Sequence, residues 1–267
     1  MSRVIVITSG KGGVGKTTIT ANLGIALAGF GHSVAMIDSD IGLNNLDVVM
    51  GVENKVVYDL VDCLEGKCRV TQALIQNPIL ENLFILPSSR NADKNKIEPA
   101  DFERVVNALK DKFEYVLIDC PAGIDKGFSL AVSCATEAIV VVTPHLSAVR
   151  DADRVVSLLN TRGISSVSVV VNRIRGDLVA RREMLSAIDI EKLMGVKQVG
   201  IIPESDEIGL YNSFLSFSDG KVHSFVGYAF STLARNILEE KSEKFDYISK
   251  YKGFWGAVRR TLKRRVG

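Results

Sequence analysis

The stretch Val4-Ile5-Val6-Ile7-Thr8-Ser9-Gly10-Lys11-Gly12-Gly13-Val14-Gly15-Lys16-Thr17-Thr18 decides the architecture. Four consecutive apolar residues read as a buried strand, and the glycine run that follows is too bare for side chains to obstruct. Gly10, Gly15, Lys16 and Thr17 occupy the fixed positions of the phosphate-binding pattern Gly-x-x-x-x-Gly-Lys-Ser/Thr. Backbone N–H groups of Gly12, Gly13, Val14 and Thr18 can turn toward phosphate oxygens, and the next helix aims its positive end at the same anion. Lys16 reaches the outer phosphates and the Thr17 hydroxyl is a Mg²⁺ ligand. The expected ligand is a nucleoside triphosphate with Mg²⁺.

Working outward, strands are expected at 3–8, 33–38, 83–87, 114–119, 138–143, 166–172 and 197–202, mostly runs of Val, Ile and Leu. Helices are expected around 16–30, 99–112, 147–160, 181–194 and 221–240. Alternation of this kind predicts an α/β fold with a doubly wound, mainly parallel sheet and a ligand at the carboxyl ends of its strands. No Pro/Gly/Ser-rich linker or internal repeat divides the 267 residues. One domain is expected over 1–245, with a tail over 246–267.

Acids sit where such a site needs them. The second strand ends in Asp38-Ser39-Asp40, and the run Tyr115-Val116-Leu117-Ile118-Asp119 delivers one carboxylate from a buried strand, the Walker B form. Asp38 and Asp40 also fit an acid-rich turn that caps a helix. At the ends of later strands, Asn172-Arg173 and Pro203-Glu204 read either as base contacts or as an ordinary turn start and strand end.

Lys11 is superfluous to an ordinary phosphate loop, and with it the loop resembles the deviant Walker A motif of the MinD/ParA class of P-loop ATPases. The resemblance covers nearly the whole chain, with strong points at 8–47, 114–124 and 250–267. It implies that Lys11 crosses a dimer interface to the partner's ATP. It assigns Asp38 and Asp119 with Thr17 to the metal shell and Asp40, with Lys11 and Lys16, to catalysis. Gly123, in Cys120-Pro121-Ala122-Gly123-Ile124, resembles the switch that feels the γ-phosphate, and Asn172, Arg173, Pro203 and Glu204 resemble the adenine side. Where the family has a Gly-x-Pro segment, this chain has Phe214-Leu215-Ser216-Phe217-Ser218-Asp219-Gly220, which leaves the geometry of 206–222 open.

Residues 250–267 carry seven Lys and Arg and no acid. Taking those seven from the 33 basic residues leaves 26 against 31 acids, so the body is acidic and no specific nucleic-acid partner is expected. On a helix, Tyr251, Phe254, Trp255, Val258, Leu262 and Val266 share an arc of about 120°, with Arg259, Lys263 and other cations outside it and Arg265 within it. Aromatics with cations opposite describe a helix lying in an anionic membrane surface. A last helix packed on the sheet is the alternative.

No run of about 18 uncharged apolar residues exists, and the first strand begins at once, so a cytoplasmic protein peripheral to the inner membrane face is expected. Cys63, Cys68, Cys120 and Cys134 lack zinc-site spacing and are expected reduced. His32, His145 and His223 are scattered and read as packing or surface residues. The resemblance further implies an ATP-dependent homodimer, a role in septum placement, a MinC-like division inhibitor and a MinE-like stimulator of hydrolysis. Rival members of the class are a DNA-partition ATPase of ParA type and a flagellar-number regulator.

Overall fold

The computed structural model describes residues 2–42, 45–89, 97–206 and 224–251. Among these, eight strands form one sheet in the order β3-β4-β2-β5-β1-β6-β7-β8. They are β1 (Arg3–Thr8), β2 (Val34–Asp38), β3 (Ile75–Gln76), β4 (Leu83–Leu86), β5 (Tyr115–Asp119), β6 (Glu137–Val142), β7 (Ser166–Ile174) and β8 (Gln198–Pro203). All neighbours pair parallel except β3, a two-residue antiparallel edge on β4. The seven expected strands are all present, and β3 is too short to leave a periodic signal.

Both faces of the sheet are buried, which is why the strands read as unbroken apolar runs. Alternate residues serve opposite layers. Val4, Val6, Ile37, Val116 and Ile118 meet α5 (Pro99–Lys110), α6 (Lys126–Ser133) and α7 (Leu146–Thr161) through Phe102, Val105, Phe128 and Val155. Ile5, Ile7, Met36 and Leu117 face α1 (Lys16–Gly29) and α10 (Phe225–Leu238) through Leu23, Leu27, Phe230 and Leu233. α1 is buried along nearly its whole length, wedged between the sheet and α10. A helix apolar all round is one with core on more than one side.

The short helices α2 (Leu46–Val49), α3 (Leu60–Leu64), α4 (Val70–Ala73) and α8 (Gly176–Ala180), and α6, were not expected. They lack the length that makes a 3.6-residue period legible. The helix expected over 181–194 forms only as α9 (Ala187–Met194). Ser186 and Asp189 make a reciprocal capping box at its start, and Gly195 ends it at φ 62°. The Ser186-x-x-Asp189 spacing was a readable start signal. α10 begins at Phe225, capped by Ser224, whose side chain accepts from Gly227 N–H at 2.9 Å.

Beyond residue 245, where the tail is expected to begin, the described chain is still packed on the body. Tyr247 and Tyr251 are both buried, and the Tyr247 hydroxyl accepts the N–H of Ala187 at 3.1 Å. Gly176 lies so close under the backbone of Tyr247 and the ring of Tyr251 that a Cβ there would collide with both. Tyr251, expected on the apolar arc of the tail helix, belongs to the body. Residues 252–267, with Phe254, Trp255, Val258, Arg259, Leu262 and Lys263, lie outside the described residues, as does most of 206–222.

Candidate functional site

β1 sits between β5 and β6, so the loop after Thr8 emerges at the middle of the sheet's carboxyl edge. Gly15 takes φ 100° as the residue before α1, a conformation open to glycine and costly for others. No side chain caps α1 and no acid occupies its first turn, which leaves its leading N–H groups and positive dipole end facing the loop. Neighbours enforce glycine as well. A Cβ at Gly10 would strike the backbone of Asp151 on α7, and one at Gly15 the amide of Asn172.

Lys16 is 8% exposed, and its Nζ donates to Ser9 Oγ at 3.2 Å, folding the side chain back along the loop. Ser9 Oγ in turn donates to the Lys11 carbonyl at 2.8 Å. The Lys11 side chain is exposed. One lysine thus lies inside the cradle and one on its outer lip.

Asp38 and Asp119 are partners in the β2–β5 register, so two carboxylates end adjacent strands side by side. Both are buried. Burial pushes the Asp119 carboxyl up to about 8, helped by the charge of Asp38 and opposed by the Thr17 hydroxyl, Lys16 and Thr20. Burial likewise raises Asp38 to about 6, against three backbone amides that favour its ionised form. Those amides belong to Asp40, at 2.9 Å on Oδ1, and to Asn45 and Leu46, at 3.0 and 3.1 Å on Oδ2. Asp38 therefore shapes the loop that carries the half-exposed Asp40 and also lends charge to the pocket.

A buried pair of like charges either holds protons or attracts a cation. Among the described residues no group of three or more His, Cys, Asp or Glu gathers, so these side chains do not form an all-protein metal cage. That fits Mg²⁺, which keeps waters and phosphate oxygens around one or two protein ligands. Thr17, bonded to Asp119, and the Asp38–Asp119 pair make up the matching donor set. Thr20 was missed. Its hydroxyl donates to Asp119 Oδ1 at 3.3 Å, and the signal lay in its position three residues after Thr17, on the same face of α1.

After β5 the chain runs Cys120-Pro121-Ala122-Gly123, with Gly123 at φ 94° and Ala122 close beneath Gly12. The switch-like loop is thereby placed against the phosphate loop, and Ile124 beyond it is 56% exposed.

At the far side of the cradle, Asn172 Nδ2 donates to the Val14 carbonyl at 2.8 Å. Its buried Oδ1 has no hydrogen-bond partner among the described residues. A buried carbonyl oxygen without a donor marks a place where a ligand N–H fits. β7 slips register against β8 between Val171 and Ile174, and Arg173 takes φ 57°, which turns its side chain out to solvent. Pro203 pairs with Ile174, and Glu204 N–H donates to the Ile174 carbonyl at 3.0 Å. Just beyond, Arg175 forks onto the buried Asp177, at 2.8 and 3.3 Å, and Arg181 stands 3.8 Å away. This cluster, unread in the sequence, ties the base-side edge to the segment carrying Tyr251.

Residues 5–214 match the family described as the CobQ/CobB/MinD/ParA nucleotide binding domain. The septum site-determining protein MinD of Synechocystis sp. is 43% identical over 268 residues, 98% of this chain and 99% of that one. Among solved structures, the MinC:MinD cell division protein complex of Aquifex aeolicus is 40% identical, with a TM-score of 0.82 over 93% of this chain and 100% of the other. MinD complexed with Mg-ADP from Pyrococcus horikoshii is 32% identical, with a TM-score of 0.75 over 89% and 96%. With the phosphate cradle, the paired carboxylates and these relatives together, the chain belongs to the CobQ/CobB/MinD/ParA nucleotide-binding family and, within it, to the MinD group of ATPases.

Proposed function

We propose that this ATPase works as a nucleotide-gated dimer in septum placement, docking on the inner face of the cytoplasmic membrane with ATP and leaving after hydrolysis. The observation that carries this reading is the division of labour between two lysines. Lys16 is folded inside the cradle, whereas Lys11 on its rim is free to reach a second copy. In this reading Lys16, with the amides of Gly12 to Thr18, neutralises the β- and γ-phosphates. Thr17, Asp38 and Asp119 would hold Mg²⁺, which would draw charge off the transferred phosphoryl group. Asp40 orients the attacking water, and Gly123 reports loss of the γ-phosphate. Asn172 Oδ1 accepts the adenine amino group, with Arg173, Pro203 and Glu204 around the ring.

The basic, aromatic segment 252–267 is the membrane element. Each cation near anionic lipid contributes about 1 kcal/mol, and ordering a short helix offsets much of that. One tail binds reversibly, whereas two on one dimer gain about 10² to 10⁴-fold in avidity. A MinC-like inhibitor is the partner of the ATP dimer, in keeping with the Aquifex complex, and a MinE-like protein speeds hydrolysis. Sedimentation with anionic liposomes in ATP, ADP or no nucleotide tests the coupling. Binding is expected with ATP and lost on removing 252–267; equal binding in all three states would end the proposal. Asp40→Ala should keep ATP-dependent binding while hydrolysis falls at least about 10²-fold.

A further inference from the structure

α3 is held at its start by Asp59, whose side chain accepts from Val61 and Asp62 N–H, and it stops at Leu64. Gly66 then takes φ 73° and reverses the chain. Gly66 N–H donates to the Cys63 carbonyl at 3.2 Å and Lys67 N–H to the Asp62 carbonyl at 2.9 Å, closing a tight turn. The turn returns Cys68 over the helix it has just left, and the two sulfurs stand 3.5 Å apart. Cys63 is buried and Cys68 partly exposed. Both line a cleft of about 740 Å³ whose wall includes Arg69, Arg104 and Lys112. Cys120 is buried at the end of β5 and Cys134 is partly exposed at the end of α6.

We propose that Cys63 and Cys68 form a reversible dithiol–disulfide pair, a modification site for a peroxide that enters through this cleft. The cleft opens Cys68 to solvent and admits a molecule the size of a peroxide. Burial holds the Cys63 thiol protonated, suiting it to the second step. The Cys68 sulfur attacks one peroxide oxygen, the O–O bond breaks, and Cys68 becomes a sulfenic acid as the other oxygen leaves as water. Cys63 Sγ then attacks Cys68 Sγ, the S–O bond breaks, and the departing hydroxyl takes the Cys63 proton as a second water. Two thiols have lost two electrons and the peroxide has gained them. Thiol reductants reverse the bridge by exchange.

The test treats the folded full-length chain with hydrogen peroxide, blocks remaining thiols, and maps peptides by mass. Two of the four thiols should disappear, a peptide bridged between Cys63 and Cys68 should appear, and dithiothreitol should restore both. In Cys63→Ser the bridge should be absent and a sulfenic acid on Cys68 should be trapped by dimedone. A wild-type protein that oxidises Cys68 to sulfinic acid without the bridge would overturn the proposal. So would a bridge formed only after unfolding in guanidinium.

Discussion

The phosphate loop and the β7–β8 edge meet at Asn172, yet they are built in opposite ways. The loop is local: β1, seven residues of connection and the first turn of α1 lie together in the chain, and its geometry follows from glycines at fixed spacing. The base-side edge draws on residues far apart. Asn172 bonds Val14, 158 positions away, and Pro203 aligns with Ile174 across a register slip. The two meet where Gly15 leaves room for the Asn172 amide. A glycine of the phosphate-binding pattern is also the seat of the Asn172 side chain.

Four experiments break or sharpen this contrast. Lys16→Ala removes the cation at the centre of the loop and should cut hydrolysis by about 10²-fold or more, with ATP-dependent dimers lost in sedimentation velocity. Normal dimers would deny the loop its role. Chain ends at 251 and at 245 should behave differently, because the shorter form exposes two seats filled by Tyr247 and Tyr251. The form ending at 251 should melt like the full chain, and the one ending at 245 should lose about 2–5 kcal/mol in a urea titration.

Asn172→Ala removes the unpartnered acceptor on the base side. ATP affinity measured by calorimetry should fall about 10-fold, whereas inorganic triphosphate should bind as before. Equal losses for both ligands would move Asn172 from base recognition to loop support. The smallest effect concerns the carboxylates. Because Asp119 titrates near 8 in the folded chain and near 4 when unfolded, the folded state holds the extra proton between those values. Stability of the nucleotide-free protein should fall as pH rises through that window, by at most about 1.4 kcal/mol per unit from Asp119, with Asp38 adding to the slope below about 6, and level off above it. Asp119→Asn should flatten the slope in thermal melts at pH 5 to 9.

How far the site was legible depended on how much of it is local. Lys16, Thr17, Asp38, Asp40 and Asp119 all sit at the ends of apolar strands or in the glycine loop, where pattern and placement coincide. Their adjacency also follows from topology, since parallel strands in one sheet bring carboxyl ends together. Arg175, Asp177 and Tyr251 had no such marker, and Thr20 had only its spacing from Thr17. A threonine inside a helix, a buried acid between arginines and an aromatic near the chain end are common in any sequence. What made them part of the site was contact with Asp119, with the β7–β8 edge and with Gly176.

The sequence by itself determined the phosphate cradle, the parallel sheet and the acids along its edge. Each depends on short-range spacing and on strands buried on both faces. Only the tertiary structure decided that Asp38 and Asp119 share buried space, that Asn172 keeps one oxygen unpartnered among the described residues, and that Tyr247 and Tyr251 pack on the body. The physical reason is desolvation. How much water a group has lost depends on every segment packed around it, and linear spacing carries no record of that.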